Sequence, residues 1–257
     1  MLIRKVVVVV LIFGLTSLNL YSSDAAREAQ YAREISASNI KDEIIWLGEP
    51  EKRFLVLYRE AEKSGFKGTA ILLHHMSGHP DNDPLIYTLR RELAEHNWAT
   101  FALQMPLREE GAPEADYYPL FPEAKQRIDE ATRHLASHGA ESIVLVGHQL
   151  GALMALYAQA NEPMKEIKAM VTIGLNAPET DSKNAQTFEF IKQIRIPFFD
   201  IYGEQDARGI VDSARERRIS ARNNKQYRQF QLGRASSPYW NDQALVVKRI
   251  YSWVSHY

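Results

Sequence analysis

The stretch "SIVLVGHQLGALMALYAQA" (Ser142–Ala160) indicates most clearly how this 257-residue chain folds. Its first part is rich in β-branched residues, which favour a strand, and its last part is rich in alanine and leucine, which favour a helix. Two glycines, Gly147 and Gly151, lie between these parts and permit a tight turn. The stretch therefore predicts a strand, a sharp turn with Gln149 at its middle, and a helix.

The rest of the chain predicts two strands first and then strands that alternate with helices. The predicted strands are Glu43–Leu47, Arg53–Tyr58, Thr69–His74, Ala99–Leu103, Ser142–Val146, Ala169–Gly174, Pro197–Tyr202 and Tyr227–Leu232. The third of these strands is almost entirely apolar, which indicates burial on both faces. This order predicts an α/β fold with a mostly parallel central sheet and helices on both faces, in one domain.

The turn at Gln149 resembles the nucleophile elbow, G-x-S-x-G, of the α/β-hydrolase superfamily, with glutamine in place of the serine. Three further stretches match that pattern, namely "LLHHMSGHPD" (Leu72–Asp81), "DIYGEQD" (Asp200–Asp206) and "FQLGRASSPYW" (Phe230–Trp240). By this resemblance, they are the loop that supplies an oxyanion-hole amide, the segment with the triad acid, and the loop of the catalytic histidine. Within the superfamily, the chain is similar to an uncharacterised family of exported bacterial proteins.

The resemblance also implies that the catalytic triad is degenerate. The triad runs serine, acid, histidine along the chain. Here Gln149 takes the serine's position, no histidine follows His148 until His256, and Ser236 stands at the histidine's predicted position. Loss of the serine or histidine of such a triad lowers turnover by about 10⁶, which argues against ordinary ester or amide hydrolysis. Asp206 keeps the acid's place, either as a relic, as a solvated loop acid or as a helix cap.

We therefore expect a non-catalytic protein that binds a small molecule or an envelope protein in the cleft over the turn. Side-chain and backbone groups there can donate and accept hydrogen bonds although they cannot attack an ester. The predicted binding residues are His74, His75, Met76, His79, His148, Gln149 and Leu150. The alternative is an esterase- or peptidase-like hydrolase that uses residues outside the usual triad.

Two other interpretations of the segment "HHMSGHPDND" (His74–Asp83) stay open. Ser77 could be a relocated nucleophile with a nearby histidine as its base. The metal-ligating residue types in the segment are His75, His79, Asp81 and Asp83. The plainer interpretation is a polar loop in which His79 and Asp81 fix a turn and Asp83 caps the next helix. We expect neither a metal nor another cofactor.

The N-terminus predicts a secretory signal peptide. Arg4 and Lys5 precede an apolar run that ends near Leu18, and small residues permit cleavage after Ala25 or after Ser22. The run is short for a membrane span, so membrane association would require an uncleaved N-terminus. The predicted division is a signal peptide over 1–25, an N-terminal arm over 26–42 and the hydrolase-like domain over 43–257.

Composition agrees with export to the periplasm. The chain has no cysteine, which excludes disulfides and thiolate sites, and its net charge of −1 gives no general attraction to nucleic acid.

A basic run over residues 215–228 is typical of a solvated helix face, although it could also meet an acidic partner or anionic lipid. The acidic loop over residues 105–120 would cover the carboxyl ends of the strands, and its Tyr117 and Tyr118 are candidate ligand contacts.

Overall fold

A computed structural model describes residues 22–38, 41–62, 65–239 and 241–257. Within these residues eight strands form one sheet, and they are β1 (Glu43–Leu47), β2 (Phe54–Arg59), β3 (Gly68–Leu73), β4 (Trp98–Leu103), β5 (Ile143–His148), β6 (Ile167–Ile173), β7 (Phe198–Gly203) and β8 (Tyr227–Leu232). Their order across the sheet is β1-β2-β4-β3-β5-β6-β7-β8. Strand β2 is antiparallel to β1 and β4, and the other neighbours are parallel, which confirms the predicted mostly parallel sheet.

Helices cover both faces of the sheet, as predicted. The described helices are α1 (Ala25–Ala37), α2 (Pro84–Glu95), α3 (Phe121–Ser137), α4 (Leu150–Ala160), α5 (Thr187–Gln193), α6 (Arg208–Asp212), α7 (Ala214–Ser220) and α8 (Gln243–Val254), with 3₁₀ helices at Glu114–Leu120, Lys183–Ala185 and Ala221–Asn223. Apolar residues of α3, α4 and α5 pack on one face, and those of α1, α2 and α8 pack on the other. In β5, Ile143 and Leu145 join the first core while Val144 and Val146 join the second, because side chains alternate along a strand.

The N-terminal helix α1 is docked on the domain by polar contacts. The side chain of Asp24 accepts a hydrogen bond at 3.0 Å from the backbone amide of Arg27 and so caps the first turn. Glu28 is buried, and its carboxylate lies 2.9 Å from the guanidinium of Arg127 in α3. Removal of one partner of a buried ion pair is strongly destabilising, by roughly 3–5 kcal/mol, so this contact fixes α1 to α3.

The predicted N-terminal arm over residues 26–42 contains most of α1, and β1 begins at Glu43, the first residue of the predicted domain. Most of the predicted signal peptide, residues 1–21, lies outside the described residues. Of the helices that the structure describes, none has the length and apolar character needed to span a membrane.

Two predictions about surface segments are wrong in part. The acidic loop over residues 105–120 contains a 3₁₀ helix, in which Tyr117 and Tyr118 are buried in the core rather than open to a ligand. The basic run includes α7, and its Arg217 is fully buried with Nε 2.9 Å from a carboxylate oxygen of Asp200 in β7. A buried carboxylate requires such a partner, and charge spacing along the chain does not reveal it.

Candidate functional site

The turn between β5 and α4 has the geometry of an elbow. Gln149 lies at φ 48° and ψ −112°, a sparsely populated conformation that costs a residue with a side chain roughly 1–3 kcal/mol. The flanking glycines allow close packing. A Cβ on Gly147 would lie 2.5 Å from the Cα of Ala152. A Cβ on Gly151 would lie 2.5 Å from the carbonyl oxygen of His74, so this turn holds Gln149 at the carboxyl end of β5.

The side chain of Gln149 is half-buried, and it faces the same space beside Gly174 as the hydroxyl of Tyr239. The Cγ of Gln149 and the hydroxyl oxygen of Tyr239 both lie 3.4 Å from the point where a Cβ on Gly174 would be. The hydroxyl of Tyr239 donates a hydrogen bond at 2.6 Å to Oδ2 of Asp206. Tyr239 thus links Asp206 to the space beside Gly174 that Gln149 also faces, and we call Gln149, Tyr239 and Asp206 the elbow group.

Asp206 is buried, so its interpretation as a solvated loop acid is wrong. Its carboxylate accepts hydrogen bonds from the backbone amides of Gly203 and Ser237, each at 2.7 Å, in addition to the one from Tyr239. Ser236, which the sequence places at the histidine's position, is exposed. The residue between the acid and the elbow is thus Tyr239 and not Ser236.

Tyr239 cannot act as a base in the histidine's place. Burial raises the pKa of its phenol well above the usual range, and the charge of Asp206 raises it further. The phenol therefore keeps its proton at neutral pH and serves as a hydrogen-bond donor. The sequence shows Tyr239 inside the stretch Phe230–Trp240, but only the fold brings its hydroxyl to Asp206.

A second polar group passes through His148, the residue before Gln149. Nδ1 of His148 lies 2.8 Å from Oδ2 of Asp83, and Nε2 lies 2.7 Å from the hydroxyl of Ser237. Because a carboxylate only accepts hydrogen bonds, Nδ1 carries a proton, and the Ser237 hydroxyl forms the second hydrogen bond of the ring, at Nε2. We call Ser237, His148 and Asp83 the Ser237 group; these residues lie far apart in the sequence, and only the fold brings them together.

Asp83 is fully buried and caps α2, as predicted. Its Oδ1 accepts hydrogen bonds from the backbone amides of Leu85 and Ile86 at 3.0 and 3.2 Å. Its Oδ2 accepts one from the backbone amide of His75 at 2.9 Å. Burial alone would raise the pKa of Asp83, but His148 and the amide of His75 hold it well below its usual range. The carboxylate that faces His148 is therefore ionised at neutral pH and fixed in orientation.

Two of the predicted binding histidines, His74 and His79, hold the loop after β3. His74 is buried, its Nε2 accepts a hydrogen bond at 2.9 Å from the amide of Met105, and burial lowers its pKa to about 3. His79 is also buried, and its Nδ1 accepts a hydrogen bond at 3.2 Å from the amide of Asp81. Burial lowers the pKa of His79 to about 4. Both rings are neutral structural groups, and His79 fixes the turn as the plainer interpretation predicted.

The other predicted binding residues lie at the elbow. His75 and Met76 are half-buried, and the ring of His75 stands edge-on to that of His148 with centroids 5.7 Å apart. The side chain of Leu150 is buried, and its backbone amide is the first of α4, where amides have no partner within the helix. The structure thus brings His75 and His148 together, and places the amide of Leu150 directly after Gln149.

The contacts of segment His74–Asp83 support neither the relocated-nucleophile interpretation nor the metal interpretation. The hydroxyl of Ser77 pairs with the hydroxyl of Tyr117 at 3.1 Å rather than with a histidine. The carboxylate of Asp81 forms an ion pair with Arg90. In the parts of the chain that the structure describes, no cluster of three or more histidine, aspartate or glutamate side chains is arranged to hold a metal ion.

One protein-family model matches most of the chain. The model of the family described as "Protein of unknown function (DUF3530)" matches residues 22–126 and 121–256, which together span most of the chain. The chain belongs to the DUF3530 family. No curated protein matches this DUF3530 protein.

Solved structures with the same fold are α/β-hydrolases. The esterase Pf2001 of Pyrococcus furiosus is 13% identical, with 88% of this chain and 95% of that chain covered and a TM-score of 0.67. The dienelactone hydrolase of Anabaena variabilis is 16% identical, with 84% and 98% covered and a TM-score of 0.66. Est1E of Butyrivibrio proteoclasticus is 14% identical, with 82% and 96% covered and a TM-score of 0.62. These likenesses confirm that the DUF3530 protein has the α/β-hydrolase fold.

Two surface cavities of the DUF3530 protein lie away from the elbow. One of about 1250 Å³ is lined by α1, the start of β2 and the start of α3. Another of about 390 Å³ is lined by β1, β2 and the end of α3. Neither is lined by Gln149 or His148, so the candidate site is defined by the elbow group and the Ser237 group rather than by these cavities.

Proposed function

We propose that this DUF3530 protein is an exported α/β-hydrolase-fold protein whose elbow binds a small molecule or an envelope protein without hydrolysing it. The main support for the proposal is the elbow group, in which Gln149 lies at the turn and the hydroxyl of Tyr239 donates a hydrogen bond to Asp206. A carboxamide is not a nucleophile, and a buried phenol that keeps its proton is not a base. The degenerate triad therefore cannot form an acyl-enzyme at residue 149.

The elbow is suited to a ligand that carries a carbonyl or carboxylate group. The half-buried amide of Gln149 can donate and accept hydrogen bonds. The backbone amide of Leu150 opens α4, and the half-buried loop residue Met76 lies in the segment that supplies the second amide in the resembling hydrolases. The proposed binding requires neither a metal nor another cofactor.

A ligand screen tests this proposal. Small carboxylates and carbonyl compounds should raise the melting temperature of the wild-type protein, and Gln149→Ala should abolish the shift. Gln126→Ala removes an exposed glutamine of α3 and serves as the matched control, with the shift retained. Turnover of esters that disappears in Gln149→Ala would contradict the proposal, because it would make residue 149 part of a hydrolytic site.

Export is the second part of the proposal. It is supported by Arg4 and Lys5 before the apolar run and by the absence of cysteine. Cleavage after Ser22 would retain Asp24, which caps α1, whereas cleavage after Ala25 would remove that cap. The mass of the mature protein from an exporting host should therefore correspond to a start at residue 23. An intact Met1 in a soluble cytoplasmic pool would contradict export.

The alternative function is an esterase- or peptidase-like hydrolase that uses residues outside the usual triad. The contact between His148 Nε2 and the Ser237 hydroxyl at 2.7 Å favours this alternative. It does not involve Gln149, so hydrolysis there and binding at the elbow can be tested separately.

A further inference from the structure

The Ser237 group has the connectivity of a serine nucleophile, its base and an orienting acid. Ser237 Oγ lies 2.7 Å from Nε2 of His148, and Nδ1 of the same ring lies 2.8 Å from Asp83. We propose that Ser237 is an activated nucleophile that accepts acyl groups from small carboxylic esters, with His148 as its base and Asp83 as a positioning residue. This inference goes beyond the proposed function, which concerns Gln149.

The hydrogen-bond directions fit this role. Asp83 is ionised and can only accept, so it holds the proton of His148 on Nδ1. In the ring form that carries its single proton on Nδ1, Nε2 presents a lone pair to the Ser237 hydroxyl, which then donates its hydrogen towards the base. A general base must lie within about 2.6–3.2 Å of the proton-bearing atom, and this contact meets that condition.

Burial differs along the group in the sense that a reactive serine needs. Asp83 and His148 are buried, whereas Ser237 is half-buried in the loop after β8. The backbone amides of Leu85, Ile86 and His75 donate hydrogen bonds to Asp83 and fix its carboxylate before any substrate arrives. An acid and a base that are fixed beside a half-buried hydroxyl match the requirement for electrostatic preorganisation.

The loop is already anchored without the Ser237 hydroxyl. The backbone amide of Ser237 and the hydroxyl of Tyr239 both donate hydrogen bonds to the carboxylate of Asp206, at 2.7 and 2.6 Å. The hydroxyl is therefore available for chemistry rather than needed to hold the loop. Its exposed neighbour Ser236 offers a comparison at the adjacent position.

The proposed step balances as an ordinary acyl transfer. Ser237 Oγ forms a bond to the ester carbonyl carbon while its proton passes to Nε2 of His148. The tetrahedral intermediate collapses, the bond to the leaving alkoxide breaks, and the alkoxide takes the proton from Nε2 to leave as an alcohol. A water molecule then attacks the acyl-serine with transfer of its proton to Nε2, and collapse returns that proton to Ser237 and releases a carboxylic acid.

The first experiment labels the full-length protein with a small alkyl fluorophosphonate and maps the adduct by peptide mass spectrometry. We expect one phosphonyl group on Ser237, no labelling in Ser237→Ala, and unchanged labelling in Ser236→Ala. His148→Gln should slow labelling by at least about 100-fold, in the range typical for loss of general base catalysis. Circular dichroism of each variant verifies that it is folded.

A second experiment remains decisive if His148→Gln fails to fold. The chain has no cysteine, so Ser237→Cys and Ser236→Cys each introduce one thiol into an otherwise thiol-free protein. A thiol next to a histidine base reacts faster because the thiolate is the nucleophile. We expect iodoacetamide to modify Ser237→Cys at least about 10-fold faster than Ser236→Cys, as an activated thiolate would require.

Exposure alone predicts the opposite order, because Ser236 is exposed and Ser237 is half-buried. A slower or equal reaction of Ser237→Cys, together with no phosphonyl adduct on Ser237 in the wild-type protein, would overturn the proposal. Either result leaves the ligand shift at Gln149 as an independent measurement, so failure of this inference is distinguishable from failure of the elbow proposal.

Discussion

The elbow group and the Ser237 group meet at the turn after β5, where Gln149 and His148 are consecutive residues, yet the two groups differ in chemistry. The elbow group lies at the turn after β5 and consists of an amide, a protonated phenol and a carboxylate. The Ser237 group consists of a serine, a histidine and a carboxylate, but only the histidine lies next to the elbow residue in sequence. Position in the fold and capacity for catalysis are therefore separate properties in this protein.

The difference teaches that a triad is recognised by its contacts and not by its place in the motif. Asp206 keeps the acid's place and binds backbone amides and Tyr239, which makes it an anchor of the loop after β8. Asp83 lies in no motif position for the acid, yet it is the carboxylate that faces a histidine. The two groups share this loop, so variants can separate their roles.

The largest effect is expected from Asp83→Asn. Asparagine is also a good helix N-cap, so α2 should keep its first turn. The amide no longer enforces the proton on Nδ1 of His148, and the equivalent change in a serine-protease triad lowers turnover by roughly 10⁴. Labelling of Ser237 by the fluorophosphonate should fall by a factor of this order. A cooperative melting transition, followed by circular dichroism, should show that the variant is folded. Retained labelling in a folded Asp83→Asn variant would remove Asp83 from the group.

Converting the elbow group into a triad should have the next largest effect. In a Ser237→Ala background, which removes any contribution of the Ser237 group, Gln149→Ser should give only trace esterase activity, because no free base is adjacent to it. Gln149→Ser with Tyr239→His places an imidazole between residue 149 and Asp206, and we expect activity on an activated ester to rise by roughly 10³ over the single variant. Gln149→Ser with Ser236→His is the matched control and should stay near the single variant, since Ser236 is exposed. Substantial activity of Gln149→Ser in the Ser237→Ala background would mean that a base already serves the elbow.

Acid should destabilise the loop after β3, which supports both groups. The unfolded chain binds a proton on His74 below about pH 6.5, whereas burial keeps the folded residue neutral down to about 3. Unfolding is therefore favoured as pH falls through this window, by about 1.4 kcal/mol per pH unit from His74 alone. Burial also lowers the pKa of His79, so urea titrations from pH 7 to pH 4 should show at least this slope in the free energy of unfolding.

The same titrations with His74→Gln should show a shallower slope, because the titrating group is gone. His256→Gln removes an exposed histidine and should leave the slope unchanged. A wild-type slope that survives in a folded His74→Gln variant would assign the acid sensitivity to another group.

The smallest effect is expected from Gln149→Gly. Glycine adopts positive φ without a steric penalty, so the change removes backbone strain at the elbow and should raise the free energy of unfolding by about 1 kcal/mol. Gln126→Gly in α3 should do the opposite, with a loss of about 1 kcal/mol, because glycine is unfavourable inside a helix. Destabilisation by Gln149→Gly would indicate that the Gln149 side chain contributes more than its strain costs.

Much of the fold could be predicted because its signals are local. β-Branched apolar runs identify β3 and β5, and two glycines around Gln149 identify the turn to α4. Arg217 could not be placed by the same means, because its burial depends on Asp200, a residue on another element. Local charge patterns predict exposure only when no distant partner exists.

The site was less predictable for the same reason. The sequence marks Gln149 and Asp206, whose positions depend on motifs. Tyr239 and Ser237 acquire their roles from contacts between the loop after β8 and residues far along the chain. Histidines invite the same functional interpretation from sequence, and both His74 and His148 are buried. Their contacts distinguish them, because His74 accepts a hydrogen bond from the backbone amide of Met105 whereas His148 bridges two other side chains.

Helix α1 has a thermodynamic consequence for the site. Its Arg27 donates a hydrogen bond at 3.4 Å to the carbonyl oxygen of Ser77, and its Tyr31 ring lies 4.7 Å from the ring of His79. The docked helix therefore buttresses the loop whose His75 amide holds Asp83. Linkage is reciprocal, so a ligand that binds better when this loop is ordered also favours the docked state of α1. Undocking of α1 then lowers the affinity for that ligand by the same factor as the ligand favours docking.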